Sequence, residues 1–276
     1  MSAKRKRAEI DSSSRYAITF GDCAILHVGG REIGAMRDVG FSVSELREAQ
    51  QRIQAAGGSA ELVMVSDALP VELRQSHEAA TLLVRSGADL LLGRPLAADD
   101  LYHEQTHVEY DRKFWHARQK KTMNKQARYN VVFGAEEVAH NATYEQPTVR
   151  SLQSLPQLNA VRTALPQWLG SKASDLFGEG NHYYERQSGI GFHGDAERKI
   201  VCCLSLGCSA VLRYQWRKPK ESTPFGPPVD VHVHHGDIYI MSEKATGYDW
   251  MKRSLYRVVH GAGASKYIDK GYRPRS

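Results

Sequence analysis

The chain has 276 residues, 41% hydrophobic and 25% charged, which is enough apolar material to bury one large core or two smaller ones. No apolar run reaches membrane-spanning length and the charged N-terminus lacks the hydrophobic stretch of a secretory signal, so an intracellular protein without a membrane span is expected. Of the formal charge of +6, Lys4-Arg5-Lys6-Arg7 carries four, leaving +2 for the rest.

That basic run reads as a disordered tail over residues 1–14, with a nuclear address or a nucleic-acid-contacting arm as its functional readings. Residues 15–110 then alternate strand and helix and predict a small α/β domain of no assigned role, standing alone or bracing the remainder of the chain. Ser42-x-x-Glu45 is a capping box opening a helix with Leu46, Ala49 and Ile53 on one side, stopped by Gly57-Gly58. Glu61 to Val65 reads as a strand, Val71 to Arg85 as a helix and Asp89 to Leu92 as a strand. Gly21 and Gly29-Gly30 read as turns, since no phosphate-cradling glycine pattern accompanies them.

A loose basic connection is expected from Gly93 to Asn124. Between Arg112 and Arg128 stand Arg112, Lys113, Arg118, Lys120, Lys121, Lys125 and Arg128 with no acid among them, interleaved with Phe114 and Trp115 and followed by Tyr129. Cations beside aromatic rings suit a nucleic-acid backbone with stacked bases; a plain exposed helix face or linker is the alternative. Leu158, Val161, Leu165 and Leu169 recur at helical spacing and predict a helix packed on the outside of a barrel.

From Gly180 onward, eight strands are predicted: 182–185, 191–195, 200–206, 210–216, 229–234, 237–241, 254–260 and 265–269. Eight short strands suit a double-stranded β-helix, or jelly-roll, so the fold class expected is α+β with a jelly-roll domain at 111–276. Tyr214 and Trp216 share a strand face, as core or as a substrate platform, with core the simpler reading. Cys23, Cys202, Cys203 and Cys208 have no metal-knuckle spacing and read as buried reduced thiols.

His193-Gly194-Asp195 is the main chemical signal. Two ligands separated by one residue on a strand point to the same face, and His260 from a distant strand would complete a two-histidine, one-carboxylate set. Such a set leaves open positions on Fe(II) for a co-substrate and dioxygen. His232, His234 and His235 form an alternative cluster of cupin type, without a carboxylate spaced to help.

These residues carry a resemblance to the AlkB-like Fe(II)- and 2-oxoglutarate-dependent dioxygenases over about Lys121 to Lys266. Ile190-Gly191-Phe192-His193-Gly194-Asp195 resembles that family's metal-binding strand, and His235-Gly236-Asp237 resembles a turn into a later strand. Asn181-x-Tyr183, twelve positions before His193, is similar to its 2-oxoglutarate-contacting element. Lys125-Gln126-Ala127-Arg128-Tyr129 resembles the substrate lid of the nucleic-acid demethylases. Tyr214-Gln215-Trp216 and the stretch 235–245 look like a subgroup of algae and large DNA viruses. The resemblance implies His193, Asp195 and His260 as iron ligands, Asn181 and Tyr183 on 2-oxoglutarate, and Lys125, Arg128 and Tyr129 on a DNA or RNA base undergoing oxidative demethylation or hydroxylation.

Two departures accompany it. The interval from His235 to His260 holds extra residues around Tyr248-Asp249-Trp250, and the family's arginine pattern for the distal carboxylate is absent. Lys266 matches its start, with Lys270 and Arg273 as alternatives. A protein or small-molecule hydroxylase of the same chemistry, and a non-catalytic jelly-roll binding module, are the other functions open to this sequence.

Overall fold

A computed structural model describes residues 10–11, 13–25 and 32–269. Lys4-Arg5-Lys6-Arg7, Gly29-Gly30, Lys270 and Arg273, to which the sequence assigns roles, lie outside the described residues.

The first half runs β1 (Arg15–Gly21), β2 (Cys23–Ile25), β3 (Glu32–Gly34), α1 (Val43–Ala55), β4 (Ala60–Met64), α2 (Val71–Arg74), β5 (Ala80–Val84), α3 (Gly87–Leu91) and α4 (Ala97–Thr106). A hairpin of β6 (Lys113–His116) and β7 (Lys121–Asn124) leads to β8 (Tyr129–Gly134), β9 (Val149–Ser151), α5 (Pro156–Ala164) and α6 (Pro166–Leu169). The rest is β10 (Phe177–Tyr183), β11 (Gly189–His193), β12 (Val201–Gly207), β13 (Ala210–Arg217), β14 (Pro224–Val233), β15 (Ile238–Met241), α7 (Glu243–Thr246), β16 (Arg257–Gly263) and α8 (Ser265–Ile268).

This is a mixed α+β fold of mostly antiparallel strands. The large sheet has the order β4-β5-β15-β12-β1-β10-β8-β9, with its one parallel pair at β8 and β9, and a second sheet has the order β11-β16-β13-β14. Strand alternation decides what each face of the large sheet meets. Ile18 and Phe20 of β1, Leu204 and Leu206 of β12 and Leu82 of β5 pack with Leu46 and Ile53 of α1, Leu101 of α4 and Leu158, Val161 and Trp168 of α5 and α6. The opposite face packs on the second sheet, where Leu83, Val201 and Met241 meet Leu212, Tyr214, Trp216, Val231 and Val258. The result is a helical layer, a large sheet and a small sheet, with an apolar core on each face of the large sheet.

The helix α1 begins where the capping box places it: Ser42 Oγ accepts from the Glu45 N–H at 3.1 Å and the Glu45 carboxylate accepts from the Ser42 N–H at 2.8 Å. Leu46, Ala49 and Ile53 form its buried side. Tyr214 and Trp216 are core residues, and Cys23, Cys202 and Cys203 are buried free thiols with Cys208 half-buried.

Several expectations are corrected. The helix expected over Val71 to Arg85 is one turn, Val71–Arg74, followed by β5, whose five residues are all buried between β4 and β15. The strand expected at Asp89 to Leu92 is the helix α3; Asp89 accepts from the Leu96 and Ala98 N–H groups and so ties it to the start of α4. Both errors come from short apolar runs, whose periodicity does not separate buried strand from buried helix. The strand expected at 265–269 is the helical turn α8. The loose connection at 93–124 contains α4 and the β6–β7 hairpin.

The expected division at residue 110 does not divide the sheet. β1 lies between β12 and β10, and β5 pairs with β15, so strands from 15–110 are internal to the sheet that the later strands build. Ser14, assigned to the tail, is buried, and its carbonyl accepts from the Cys208 N–H. Among the described residues no helix is long and apolar enough to cross a membrane.

Candidate metal centre and its cavity

Between the two sheets the apolar packing gives way to a cavity of about 190 Å³. Strands of both sheets wall it, among them Arg15, Ala17 and Thr19 of β1, Glu179, Asn181 and Tyr183 of β10, Val201 and Ser205 of β12, Tyr239 and Met241 of β15, and His260 and Ala262 of β16, all at alternate positions, together with Ile190 and His193 of β11 and Leu212 of β13. The period of two that sends Ile18 and Phe20 into the helical core thus sends their neighbours into this space.

His193, Asp195 and His260 offer ligand atoms that all lie within 4.8 Å of one another. Strand pairing brings the histidines together, because His193 at the end of β11 stands directly across from His260 on β16. Asp195 lies just past the strand, where its N–H donates to the Thr246 carbonyl at 2.9 Å. The intervening Gly194 is required by close packing: a Cβ there would strike the Gly247 carbonyl oxygen and the Trp250 ring.

His193 Nδ1 lies 2.9 Å from the Gly191 carbonyl oxygen. That oxygen only accepts, so Nδ1 carries the proton and the Nε2 lone pair is free for an ion. His193 Nε2 stands 3.5 Å and His260 Nε2 3.7 Å from Asp195 Oδ1, too far apart for good hydrogen bonds but suited to three donors around one centre. Burial, then the neighbouring His193 and Arg198, hold the His260 pKa well below the usual histidine range, so its ring is neutral as a ligand must be. Two imidazoles and one carboxylate are a donor set that could hold a divalent metal ion.

Behind Asp195 stands a buried ionic group. Arg198 Nη2 is 2.6 Å from Glu179 and 2.5 Å from Glu197, and Nε is 3.9 Å from Asp195. Burial opposes the charge of Arg198, but Glu179, Asp195 and Glu197 outweigh it and raise its pKa; burial raises that of Glu197. The guanidinium thus stands behind Asp195 at the edge of ion-pair distance.

Asn181 and Tyr183 both face the cavity. The Asn181 amide oxygen accepts from Arg128 Nε at 2.6 Å and from Asn130 Nδ2 at 2.5 Å, which fixes its side chain on the wall. Of the expected substrate residues, Arg128 lines the cavity, whereas Lys125 and Tyr129 are not among its walls. Tyr129 stacks on Tyr184 with ring centroids 4.6 Å apart and carries the Arg112 guanidinium at 5.3 Å. Lys125 is half-buried between the hairpin and Arg128, and burial lowers its pKa to about 8.

Lys266 is corrected. It is exposed on α8, its ammonium 5.2 Å above the Tyr267 ring, and it is not a wall of the cavity, because the chain ends β16 at Gly263 and turns into a helix. Nor do the other histidines gather: His234 Nδ1 pairs with Ser209 Oγ, and His235 Nδ1 accepts from the Gly207 N–H while Nε2 lies 3.1 Å from Asp99.

Sequence reasoning missed Arg15, Glu179 and Arg198. The one local signal was a charged residue opening the strand-like run Arg15-Tyr16-Ala17-Ile18-Thr19-Phe20; its partners on β10 and β12 are not visible from spacing.

No protein-family profile matches the chain. It is 35% identical over 254 residues to Uncharacterized protein R156 of Acanthamoeba polyphaga mimivirus, covering 91% of this chain and 96% of that protein.

Proposed function

Given that the chain belongs to one family with the mimivirus protein, we propose that the whole fold is a single Fe(II)- and 2-oxoglutarate-dependent oxygenase of the AlkB-like kind, built on a jelly-roll. The observation that carries this reading is the convergence of His193, Asp195 and His260 at the wall of a cavity between two mostly antiparallel sheets. Two facing sheets with a site in the gap are consistent with the jelly-roll.

In this reading His193 and His260 give Nε2 and Asp195 gives a carboxylate oxygen. Bound there, iron with 2-oxoglutarate and O2 would supply the oxidation, the oxo acid becoming succinate and CO2 while one oxygen atom enters a substrate C–H bond as hydroxyl. On an N-methyl group the resulting hemiaminal releases formaldehyde. The protein's own part is to hold and orient. Arg198 sets its charge behind Asp195, Arg128 restrains Asn181, and Asn181 and Tyr183 face the co-substrate space. The cavity is smaller than the ~300 Å³ at which drug-sized ligand sites begin, which fits a small acid inside and the larger substrate at the mouth.

A nucleic-acid base is the substrate class supported by the hairpin. Arg112, Lys113, Arg118, Lys120 and Lys121 are exposed around half-buried Phe114, Trp115 and His116, and Lys125 to Arg128 joins this basic surface to the cavity wall. A duplex base would have to be extruded to reach the site.

Anaerobic Fe(II) binding followed by succinate release across a panel of methylated oligonucleotides tests both parts. The expected result is Fe(II)-dependent succinate, stimulated by one oligonucleotide and abolished in H193A and D195A. Failure to bind a divalent metal overturns the oxygenase reading; stimulation by peptides and by no oligonucleotide overturns the substrate class.

A further inference from the structure

We propose that Arg15 seats the distal carboxylate of the 2-oxo dicarboxylate, so that the co-substrate is anchored from the first strand of the chain; this rests on the oxygenase reading above. Arg15 opens β1 and faces the cavity with Ala17 and Thr19. It is 5% exposed, and its guanidinium lies 4.1 Å from the centroid of the Tyr183 ring, its neighbour in the sheet.

Among the described residues Arg15 has no carboxylate within ion-pair distance and no hydrogen-bond acceptor, whereas the other guanidiniums of the cavity are engaged. Arg198 is held by Glu179 and Glu197, and Arg128 by Asn181. Burying an uncompensated charge is expensive, so a cavity built around one is a cavity for an anion. The walls carry three guanidiniums, Arg15, Arg128 and Arg198, against three carboxylates, Glu179, Asp195 and Glu197. They balance formally, and a divalent ion then leaves +2, the charge that a dicarboxylate dianion neutralises.

Position agrees with charge. A Cβ on Gly263 would come within 3.2 Å of Arg15 Nη2, so the guanidinium reaches across to β16, the strand of His260. Gly263 is three residues beyond His260, about 10 Å along a strand, the reach of a five-carbon diacid whose other end lies at the metal. Beside Arg15, Ala17 stands between Asn181 and Ser205, and these short side chains leave the guanidinium open to the cavity. A planar fork stacked on a tyrosine is suited to a bidentate carboxylate.

The test uses the full-length protein with Fe(II) under anaerobic conditions. Binding of 2-oxoglutarate, and of 2-oxopentanoate, which lacks the distal carboxylate, is followed by the visible charge-transfer band; Mn(II) binding is measured separately by calorimetry. R15Q is expected to weaken 2-oxoglutarate by about 10- to 100-fold, the range for a lost hydrogen bond to a charged group, while 2-oxopentanoate and Mn(II) bind as before. R15K, which keeps the charge without the fork, falls between and serves if R15Q does not fold. Unchanged 2-oxoglutarate affinity in both variants, or equal loss for both acids, overturns the proposal and leaves the oxygenase reading standing. If the unaltered protein binds Mn(II) but neither acid, both fall.

Discussion

The hydroxyl of Tyr214 meets Thr81 Oγ1 at 2.7 Å in space closed to solvent, and joins β13 of the small sheet to β5 of the large one. The same tyrosine stands directly across from His260, with ring centroids 5.9 Å apart, so this bridge braces the strand that carries a metal ligand. Removing one partner leaves the other buried and unsatisfied, which costs about 1–3 kcal/mol. Y214F is expected to lose that much in urea unfolding, and Y214F combined with T81V to lose less than the two single changes summed. Additive losses would show that the two hydroxyls are not coupled.

Arg198 supports a second prediction. It is 4% exposed and lies against Glu179 and Glu197, with Asp195 at 3.9 Å. R198M leaves these carboxylates facing one another without a counter-charge, and breaking a buried ion pair in this way costs about 3–5 kcal/mol. E179Q, which leaves Arg198 paired with Glu197, is expected to cost less. Equal stability of R198M and the unaltered protein in guanidinium at neutral pH would remove this group from the account of how Asp195 is held.

These two contacts show what was legible in the sequence and what was not. The capping box of α1 and the strands β12 and β13 have local signatures, a cap and a bounded apolar or alternating run, and they lie within a residue or two of where those signatures place them. The three candidate metal ligands were legible because residue types and a strand spacing name them. Tyr214 with Thr81, Arg198 with Glu179 and Arg15 with Tyr183 are pairings between segments separated in sequence, and neither composition nor periodicity reports them. The same blindness produced the boundary at residue 110: strand and helix alternate locally before it, yet β1 and β5 are paired with strands that come after. Lys266 was chosen by its place in a pattern, and a single helical turn after Gly263 puts it outside the cavity.

His182 predicts an acid-sensitive step. Its ring stacks on Tyr16 at 4.3 Å with Tyr110 and Tyr129 around it, and burial, then the charge of Arg112, lower its pKa to about 4 against a weaker opposing effect of Asp11. The unfolded chain binds the proton near pH 6.5, so the unfolded state holds more protons between these values. The stability that the neutral ring contributes is therefore complete above pH 6.5 and is lost as pH falls through about 4. H182Q is expected to flatten the stability profile between those limits relative to the unaltered protein, measured by denaturant midpoints at several pH values. Parallel profiles would mean that the ring is protonated in the folded state as easily as in water.

The hairpin gives the last prediction. Lys113 and Lys121 are exposed at the strands flanking Phe114 and Trp115, and no acid lies between Arg112 and Arg128 to neutralise them. If this surface tracks a single strand, each phosphate contact contributes about 0.7 to the slope of log affinity against log salt, and about 0.9 on a duplex. K113Q together with K121Q is expected to lower the slope for single-stranded DNA or RNA by about 1.4 and to weaken binding similarly across sequences, because phosphate contacts carry no base information. W115A is expected to weaken binding with the salt slope unchanged, since stacking releases no counterions. A slope that does not move in K113Q with K121Q would take the nucleic acid off this face, and with it the main support for a base as the substrate.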